Sequence, residues 1–148
     1  MSIMDITNMF GEDQAITADA ASTNSIDLGA TGTPFGASAA LVRDIGKGCK
    51  VPLSINVTET FNNLTSLEVQ LQVDSDPAFG SPKTVAKASY LLAELTIGKQ
   101  LAFPDYIPEG TNERNMRLFY DVTGTAPTTG KITAGVVAAR HTNFVGGQ

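Results

Sequence analysis

The sequence predicts an all-β protein: a single β-sandwich of jelly-roll type with a short N-terminal helix or arm and an extended C-terminal tail. Apolar and polar residues alternate along several runs within residues 51–137. Segments rich in Pro and Gly separate about eight such short strands, a spacing typical of sandwiches. A length of 148 residues favours one domain. We therefore expect one domain over residues 1–148, with an arm over 1–24, a β body over 25–138 and a tail over 139–148.

The first ten residues predict a short helix. Ser2 is a favourable N-cap, and Gly11 lies where a glycine commonly ends a helix. So short a helix is unstable alone in water, because nucleation costs more than its few hydrogen bonds return. Its apolar side chains must therefore dock, either on the body of this chain or on a neighbouring molecule.

The strands of the body follow from the period-two alternation, which is typical of antiparallel strands with one buried face. Before it begins, only a short strand at 25–28 is predicted. Residues 91–97 fit either a helical turn or a strand. The last two strands are predicted to pair as a hairpin with a long tip over 123–130. The alternating strands are predicted over residues 51–58, 67–73, 116–122 and 132–137, and a further strand of small residues is predicted over 84–89.

Two carboxylates in the segment from Asp74 to Pro82 have the spacing that begins a calcium loop. The next ligand position holds Ala78, which has no oxygen in its side chain, and no bidentate Glu follows at the required place. Asp side chains also cap turns by accepting hydrogen bonds from the backbone. We therefore predict that Asp74 and Asp76 cap a turn and that no metal binds there.

No catalytic or cofactor motif emerges from the sequence. The chain has one Cys and one His, too few for a zinc site or an intrachain disulfide. His141 lies in the predicted tail, where neither an orienting partner nor a pocket is expected. Cys49 fits a small buried apolar residue better than a reactive thiol. We expect a protein that is not an enzyme and carries no cofactor.

Charge and hydropathy also limit the partners. A net charge of −5 disfavours a general nucleic-acid binder, because neutralising phosphates requires clustered Lys and Arg. No run of apolar residues is long enough to span a membrane, and the N-terminus lacks the basic residues of a secretion signal. A carbohydrate-binding module remains the alternative function, although the chain has no Trp and only three scattered tyrosines.

Many short segments, in order along nearly the whole chain, resemble the capsid cement (decoration) proteins of tailed bacteriophages. The resemblance implies a jelly-roll body without enzymatic activity, made in the host cytoplasm and located on the outer surface of the virion. It also implies two partners: the major capsid protein, whose neighbouring capsomers it bridges, and further copies of itself, as homodimers or homotrimers. The matching segments are Met9-Phe10, Gln14 to Ala18, Ala21 to Asn24, Ile26 to Leu28, Arg43 to Gly46, Asp74 to Pro82, Pro108 to Arg114, Arg117 to Tyr120 and Gly130 to Gly135.

In this role, the arm is predicted to supply an apolar anchor. Arg114 and Arg117 are candidates for pairing with carboxylates across a subunit boundary, and Phe144 is an exposed apolar residue of the tail. The alternatives are an arm that folds back on its own sandwich and arginines that are merely solvated. The predicted anchor residues are Met4, Ile6, Met9 and Phe10.

Overall fold

The computed structural model describes residues 4–46 and 50–138. Two short 3₁₀ turns, Ile6–Asn8 and Leu92–Glu94, accompany the strands. The described strands are β1 (Met9–Ala15), β2 (Ala20–Ala21), β3 (Ile26–Asp27), β4 (Leu53–Glu59), β5 (Leu64–Asp74), β6 (Lys83–Leu91), β7 (Gln100–Leu101), β8 (Asn115–Gly124) and β9 (Lys131–Val136).

The strands form two antiparallel sheets that share one core, so the predicted all-β sandwich is confirmed. The first sheet has the order β1-β9-β4-β7. The second has the order β2-β8-β5-β6, and β3 also pairs with β8. The pairs are nested along the chain: β1 with β9, β2 and β3 with β8, β4 with β7, and β5 with β6.

The alternation read from the sequence places side chains as predicted in β5 and β8. Leu67, Val69 and Leu71 are at most 1% exposed, whereas Glu68 and Gln70 lie on the outer face. In β8, Leu118 and Tyr120 are fully buried and register with Leu71 and Val69. Burying one such apolar side chain contributes roughly 1.5–3 kcal/mol, so these two central strands anchor the core.

The helix predicted over the first ten residues is wrong for residues 4–10, the part of it that the structure describes. Asp5 caps a single 3₁₀ turn by accepting a 2.8 Å hydrogen bond from Thr7 N, and β1 begins directly afterwards at Met9. Pairing of β1 with β9 buries Phe10 completely. Burial of a large ring against a sheet outweighs the weak helix propensity of so short a segment.

The boundary predicted between arm and body at residue 24 is also wrong for the described residues. β1 and β2 belong to the two sheets, and the side chain of Ile16 is fully buried in the core. Residues 9–24 are therefore part of the sandwich. The arm folds back on its own body, which was one of the two alternatives that the sequence left open.

The predicted hairpin between the last two strands does not form. β8 pairs with β5, β2 and β3 in one sheet, while β9 lies between β1 and β4 in the other. The connection over residues 125–130 crosses from sheet to sheet, a distance of about 10 Å that a few residues can span. Alternation identifies a strand but carries no information about its partner.

Connections between strands gather at two opposite ends of the sandwich. At one end, backbone hydrogen bonds from Ile45 N to Thr111 O (3.3 Å) and from Val51 N to Asp105 O (2.9 Å) join the long loops. We call this the loop end; it carries residues 4–8, 28–46, 50–52, 75–82 and 102–114. The opposite end, which we call the cap end, carries residues 16–19, 60–63, 92–99 and 125–130.

Candidate interaction surface

Exposed apolar side chains concentrate at the loop end. Phe35 is fully exposed, and Leu41 and Val42 are 60% and 79% exposed. Single exposed apolar residues are common on protein surfaces, but a cluster of them is typical of a binding site. Five of the seven large apolar side chains exposed in the described residues lie at this end: Ile6, Phe35, Leu41, Val42 and Tyr106. The other two are Leu91, at the end of β6, and Ile97 at the cap end.

The loop that carries three of these side chains has a firmly held base. Asp44 accepts hydrogen bonds from Gly46 N (3.1 Å) and Gly110 N (2.9 Å). Gly46 lies so close to the following loop that a Cβ there would be 2.1 Å from Pro108 O, so only glycine fits. Residues 28–42, by contrast, carry no charged side chain. An uncharged apolar tip is thus presented on an ordered base.

Arg43 belongs to the same base. Its Nη2 donates to Leu28 O (3.3 Å) and to Gly29 O, and its backbone N donates to Asn112 Oδ1 (3.0 Å). None of the ion pairs in the described residues includes Arg43. The guanidinium therefore closes the loop through neutral carbonyl groups and makes no direct ion pair, although its charge acts on the nearby carboxylate of Asp27.

Arg114 lies beside Arg43 but already has a carboxylate partner within the chain. Its Nε and Nη2 donate to the two carboxylate oxygens of Asp27, each at 2.7 Å. These hydrogen bonds, one from Gly29 N and the positive charges of Arg114 and Arg43 lower the pKa of Asp27 to about 2. Pairing of Arg114 across a subunit boundary stays a prediction, and any partner there has to approach a guanidinium that Asp27 already engages.

A pocket of about 270 Å³ opens between the two arginines, and no carboxylate residue lines it. A second pocket of about 280 Å³ adjoins it and shares Asn112. Lys83, Glu109 and Glu113 line the second pocket, where Lys83 pairs with Glu113. The two neighbouring pockets thus differ in charge although they have similar volumes.

Arg117 lies on the outer face of the second sheet. Its guanidinium carbon stacks 4.3 Å from the centre of the Phe79 ring, and its Nε donates to Gln72 Oε1 at 3.0 Å. Burial lowers the pKa of Arg117 from its ordinary value. Phe79 itself has a φ of +53°, an uncommon conformation for a bulky residue. Arg117 is therefore held by contacts within the chain.

The predicted apolar anchor is only partly accessible. Ile6 is 77% exposed, whereas Met4 and Met9 are partly buried and Phe10 is completely buried. Phe10 cannot contact a partner from this position, so its assignment as an anchor is wrong in this structure. Phe144 lies outside the described residues.

Except for Ile6 and Arg114, the loop-end residues that form the candidate surface received no predicted role from the sequence. Phe35, Leu41, Val42 and Arg43 belong to no periodic pattern and carry no motif. A usable signal was present, since an uncharged segment of 15 residues (28–42) that includes Phe, Leu and Val is unusual for a surface loop. Of the three tyrosines, Tyr90 and Tyr120 are buried and Tyr106 is 64% exposed.

The predicted turn at Asp74 is confirmed. Asp74 accepts hydrogen bonds from Asp76 N and Ser81 N, both at 3.0 Å, and Asp76 accepts one from Ala78 N at 2.9 Å. In residues 4–46 and 50–138, no group of three or more His, Cys, Asp or Glu side chains is placed to hold a metal ion. His141 and Cys49 lie outside those ranges.

No helix in the described part of the chain has the length and apolar character needed to cross a membrane. No curated protein matches the sequence. Residues 10–139 match the family named Bbp16, and because this span covers most of the chain, the protein belongs to the Bbp16 family.

Proposed function

We propose that this protein is a structural cement protein that binds the outside of an icosahedral phage head and bridges neighbouring capsomers of the major capsid protein. The loop end is the binding surface. The observation that carries the proposal is the concentration there of exposed apolar side chains on an ordered base, together with the resemblance that extends along the chain.

The order of the strands supports this proposal at the level of fold. Four nested antiparallel pairs, with β9 between β1 and β4 and β8 between β2 and β5, support a jelly roll, a fold built from two Greek keys. We therefore assign the sandwich to the jelly-roll type, as the cement role implies.

The edges of the sheets favour the loop end over strand addition as the mode of binding. Edge strands β2 and β7 are only two residues long, which leaves little to pair with. Edge strand β1 carries Glu12 and Asp13 and two irregularities of register. Edge strand β6 carries Lys83 and Lys87 and one such irregularity. Charges and bulges on an edge prevent pairing with another strand. Partners of this chain, including further copies of itself, are thus expected to bind through loops and side chains.

Stabilisation of the head follows from linkage. A ligand that binds the expanded shell more tightly than its precursor favours the expanded state by the difference in binding free energy. Many copies on one shell multiply a modest contact into a large total. No catalytic group is needed, and the protein remains on the virion surface as a permanent component.

The proposal is tested by co-sedimentation of the purified chain with expanded heads of a phage that encodes it, prepared without it. We expect saturable binding, weakened roughly tenfold by replacing both Phe35 and Leu41 with Ser, since buried apolar anchors dominate binding energy. The matched control is Leu91→Ser, because Leu91 is 62% exposed but lies at the end of β6, away from the loop end.

Equal loss of binding in the control would remove the loop end from the proposal. Absence of binding by the unmodified chain, combined with selective binding on a glycan array, would instead establish the carbohydrate-binding alternative.

A further inference from the structure

We infer that the pocket between Arg43 and Arg114 binds an acidic side chain, Asp or Glu, presented by the shell protein. This inference rests on the proposed function, because it names the chemistry of the contact that the loop end makes with its partner. The observations that carry it are the unengaged donors of Arg43, the net positive charge of the pocket and the contrast with the adjoining pocket.

The Arg43 guanidinium still has donors to offer. Arginine has five N–H donors, and only Nη2 of Arg43 is engaged within the described residues. Its Nε and Nη1 donate to no acceptor in that part of the chain. Charge-assisted hydrogen bonds from a guanidinium to a carboxylate are about twice as strong as neutral ones. A carboxylate is thus the partner that uses the remaining donors best.

The pocket's other lining residues supply further donors. Thr31 and Ser75 contribute hydroxyl groups, and Asn112 contributes a side-chain amide whose oxygen already accepts from Arg43 N. Asp27 neutralises one of the two arginines by its bidentate contact with Arg114. The pocket therefore keeps a net charge of about +1, which one carboxylate would balance at close range.

The adjoining pocket shows that this charge is local. Two glutamates and one lysine line it, so a carboxylate would be repelled there. Lys83 in that pocket pairs directly with Glu113, whereas Arg43 makes no ion pair in the described residues, and Asp27, the carboxylate that feels its charge, is engaged by Arg114. Of two pockets with similar volume, only the one between the arginines suits an acidic group.

The position of the pocket indicates a protein as the source of the carboxylate. Gly29, Ala30 and Thr31 line the pocket and continue directly into the apolar tip at Phe35. A partner that covers Phe35 and Leu41 would also exclude water from the Arg43 pair, and lower water access strengthens such a pair. Apolar contact and ion pair thus belong to one interface.

The pocket itself is tested by NMR titration of the full chain with a capped tripeptide that contains a central glutamate. We expect a saturable shift of the Arg43 Nε–H resonance, with a dissociation constant on the order of 1 mM. The glutamine counterpart of the peptide should produce no such shift. Inorganic phosphate is the third ligand; tighter binding of phosphate than of the glutamate peptide would overturn the assignment to a protein carboxylate.

Two variants and a control distinguish an effect of the Arg43 charge on binding from a structural disturbance of the loop. Arg43→Gln should weaken peptide binding about tenfold. Thr31→Val leaves the carbonyl contacts of Arg43 intact and should weaken it about threefold, so the proposal stays testable if Arg43→Gln disturbs the loop. Lys83→Gln removes the same charge from the adjoining pocket and should leave binding unchanged. Absence of a saturable shift in the unmodified chain would overturn the inference.

The same variants in the head-binding assay test the partner. Reduced occupancy with Arg43→Gln and unchanged occupancy with Lys83→Gln would support a shell carboxylate. Equal occupancy with both variants would overturn it. If the unmodified chain does not bind heads at all, the proposed function fails, while the peptide titration still decides whether the pocket binds carboxylates.

Discussion

The two ends of the sandwich are built on different principles. At the cap end, Asn62 holds the connection between β8 and β9 by donating to Thr128 Oγ1 (2.7 Å) and accepting from Thr128 N (2.8 Å) and Thr129 N (3.2 Å). Thr60 links the same turn to Ile97, because its carbonyl oxygen accepts from Thr129 Oγ1 (3.1 Å) and its hydroxyl oxygen accepts from Ile97 N (2.9 Å). At the loop end, the connections are longer, carry the exposed apolar residues and enclose pockets between charged groups.

The two ends therefore differ in what they contribute: the cap end contributes mainly to stability, and the loop end offers groups to a partner. Short turns that satisfy their own polar groups close the core and leave little to offer a partner. Long loops leave side chains and donors unsatisfied, which costs stability but supplies a surface for binding. We therefore expect substitutions at the cap end to affect mainly the free energy of unfolding, and substitutions at the loop tip to affect mainly binding.

The largest difference in the loss of unfolding free energy is expected between alanine substitutions of two glycines, one at each end. Gly130 at the cap end has a φ of +135°, and a Cβ there would lie 2.3 Å from the Phe61 ring. Gly130→Ala should lower the free energy of unfolding by roughly 3 kcal/mol or more, through backbone strain and overpacking. Urea denaturation measures the change.

The control for that comparison is Gly36→Ala in the loop tip. Gly36 has a φ of +81°, and a Cβ at this position would have no neighbouring atom within 4 Å. The substitution should therefore cost only about 1–2 kcal/mol of backbone strain. Equal losses for the two variants would show that the ends do not differ in packing.

Two asparagines provide the next test. Asn62→Ala removes three hydrogen bonds at the cap end and should cost about 2 kcal/mol, because the Thr128 and Thr129 backbone donors lose their partner. Asn112→Ala removes only the hydrogen bond to Arg43 N at the loop end and should cost less than about 1 kcal/mol. Thermal or urea unfolding of both variants gives the comparison, and a larger loss for Asn112→Ala would contradict it.

A substitution in the core, which lies between the two ends, should change the stability of both ends equally. Tyr120 is fully buried, and its hydroxyl has no hydrogen-bond partner in the described residues. Burial also raises the pKa of this phenol. Tyr120→Phe should raise the free energy of unfolding by about 1 kcal/mol, since it removes a desolvated polar group and keeps the ring. Hydrogen exchange should slow at both ends alike; slowing at one end alone would contradict the shared core.

Acid should destabilise the protein at the loop end, where Asp27 is located. Its pKa is lowered in the folded chain, so the unfolded chain binds more protons and stability rises with pH. The contribution of Asp27 is complete above its unfolded pKa of about 4 and is lost as the pH falls towards about 2. A carboxyl titration followed by NMR should give a pKa near 2 for Asp27.

Arg114→Gln provides the control for the acid effect. Because the hydrogen bonds from Arg114 are the main cause of the lowered pKa, the Asp27 titration should move upward in this variant. An unchanged titration would show that Arg114 does not stabilise the carboxylate in solution.

Much of the body, and little of the proposed binding surface, could be predicted from the sequence. The strands at residues 53–59, 64–74, 115–124 and 131–136 follow from alternation, because adjacent side chains of a strand point to opposite faces whatever the strand pairs with. The Asp74 turn follows from local hydrogen bonds between a side chain and the backbone that comes after it.

What only the tertiary structure decided depends on contacts between residues distant in the chain. Residues 6–10 become a turn and the start of a strand because β9 offers a partner and a site for Phe10. Arg114 pairs with Asp27, 87 positions away, and Arg43 makes no direct ion pair because of how the loop lies on residues 107–112. Local sequence determines which face of a strand is apolar; the packing of the whole chain determines which groups are left for a partner.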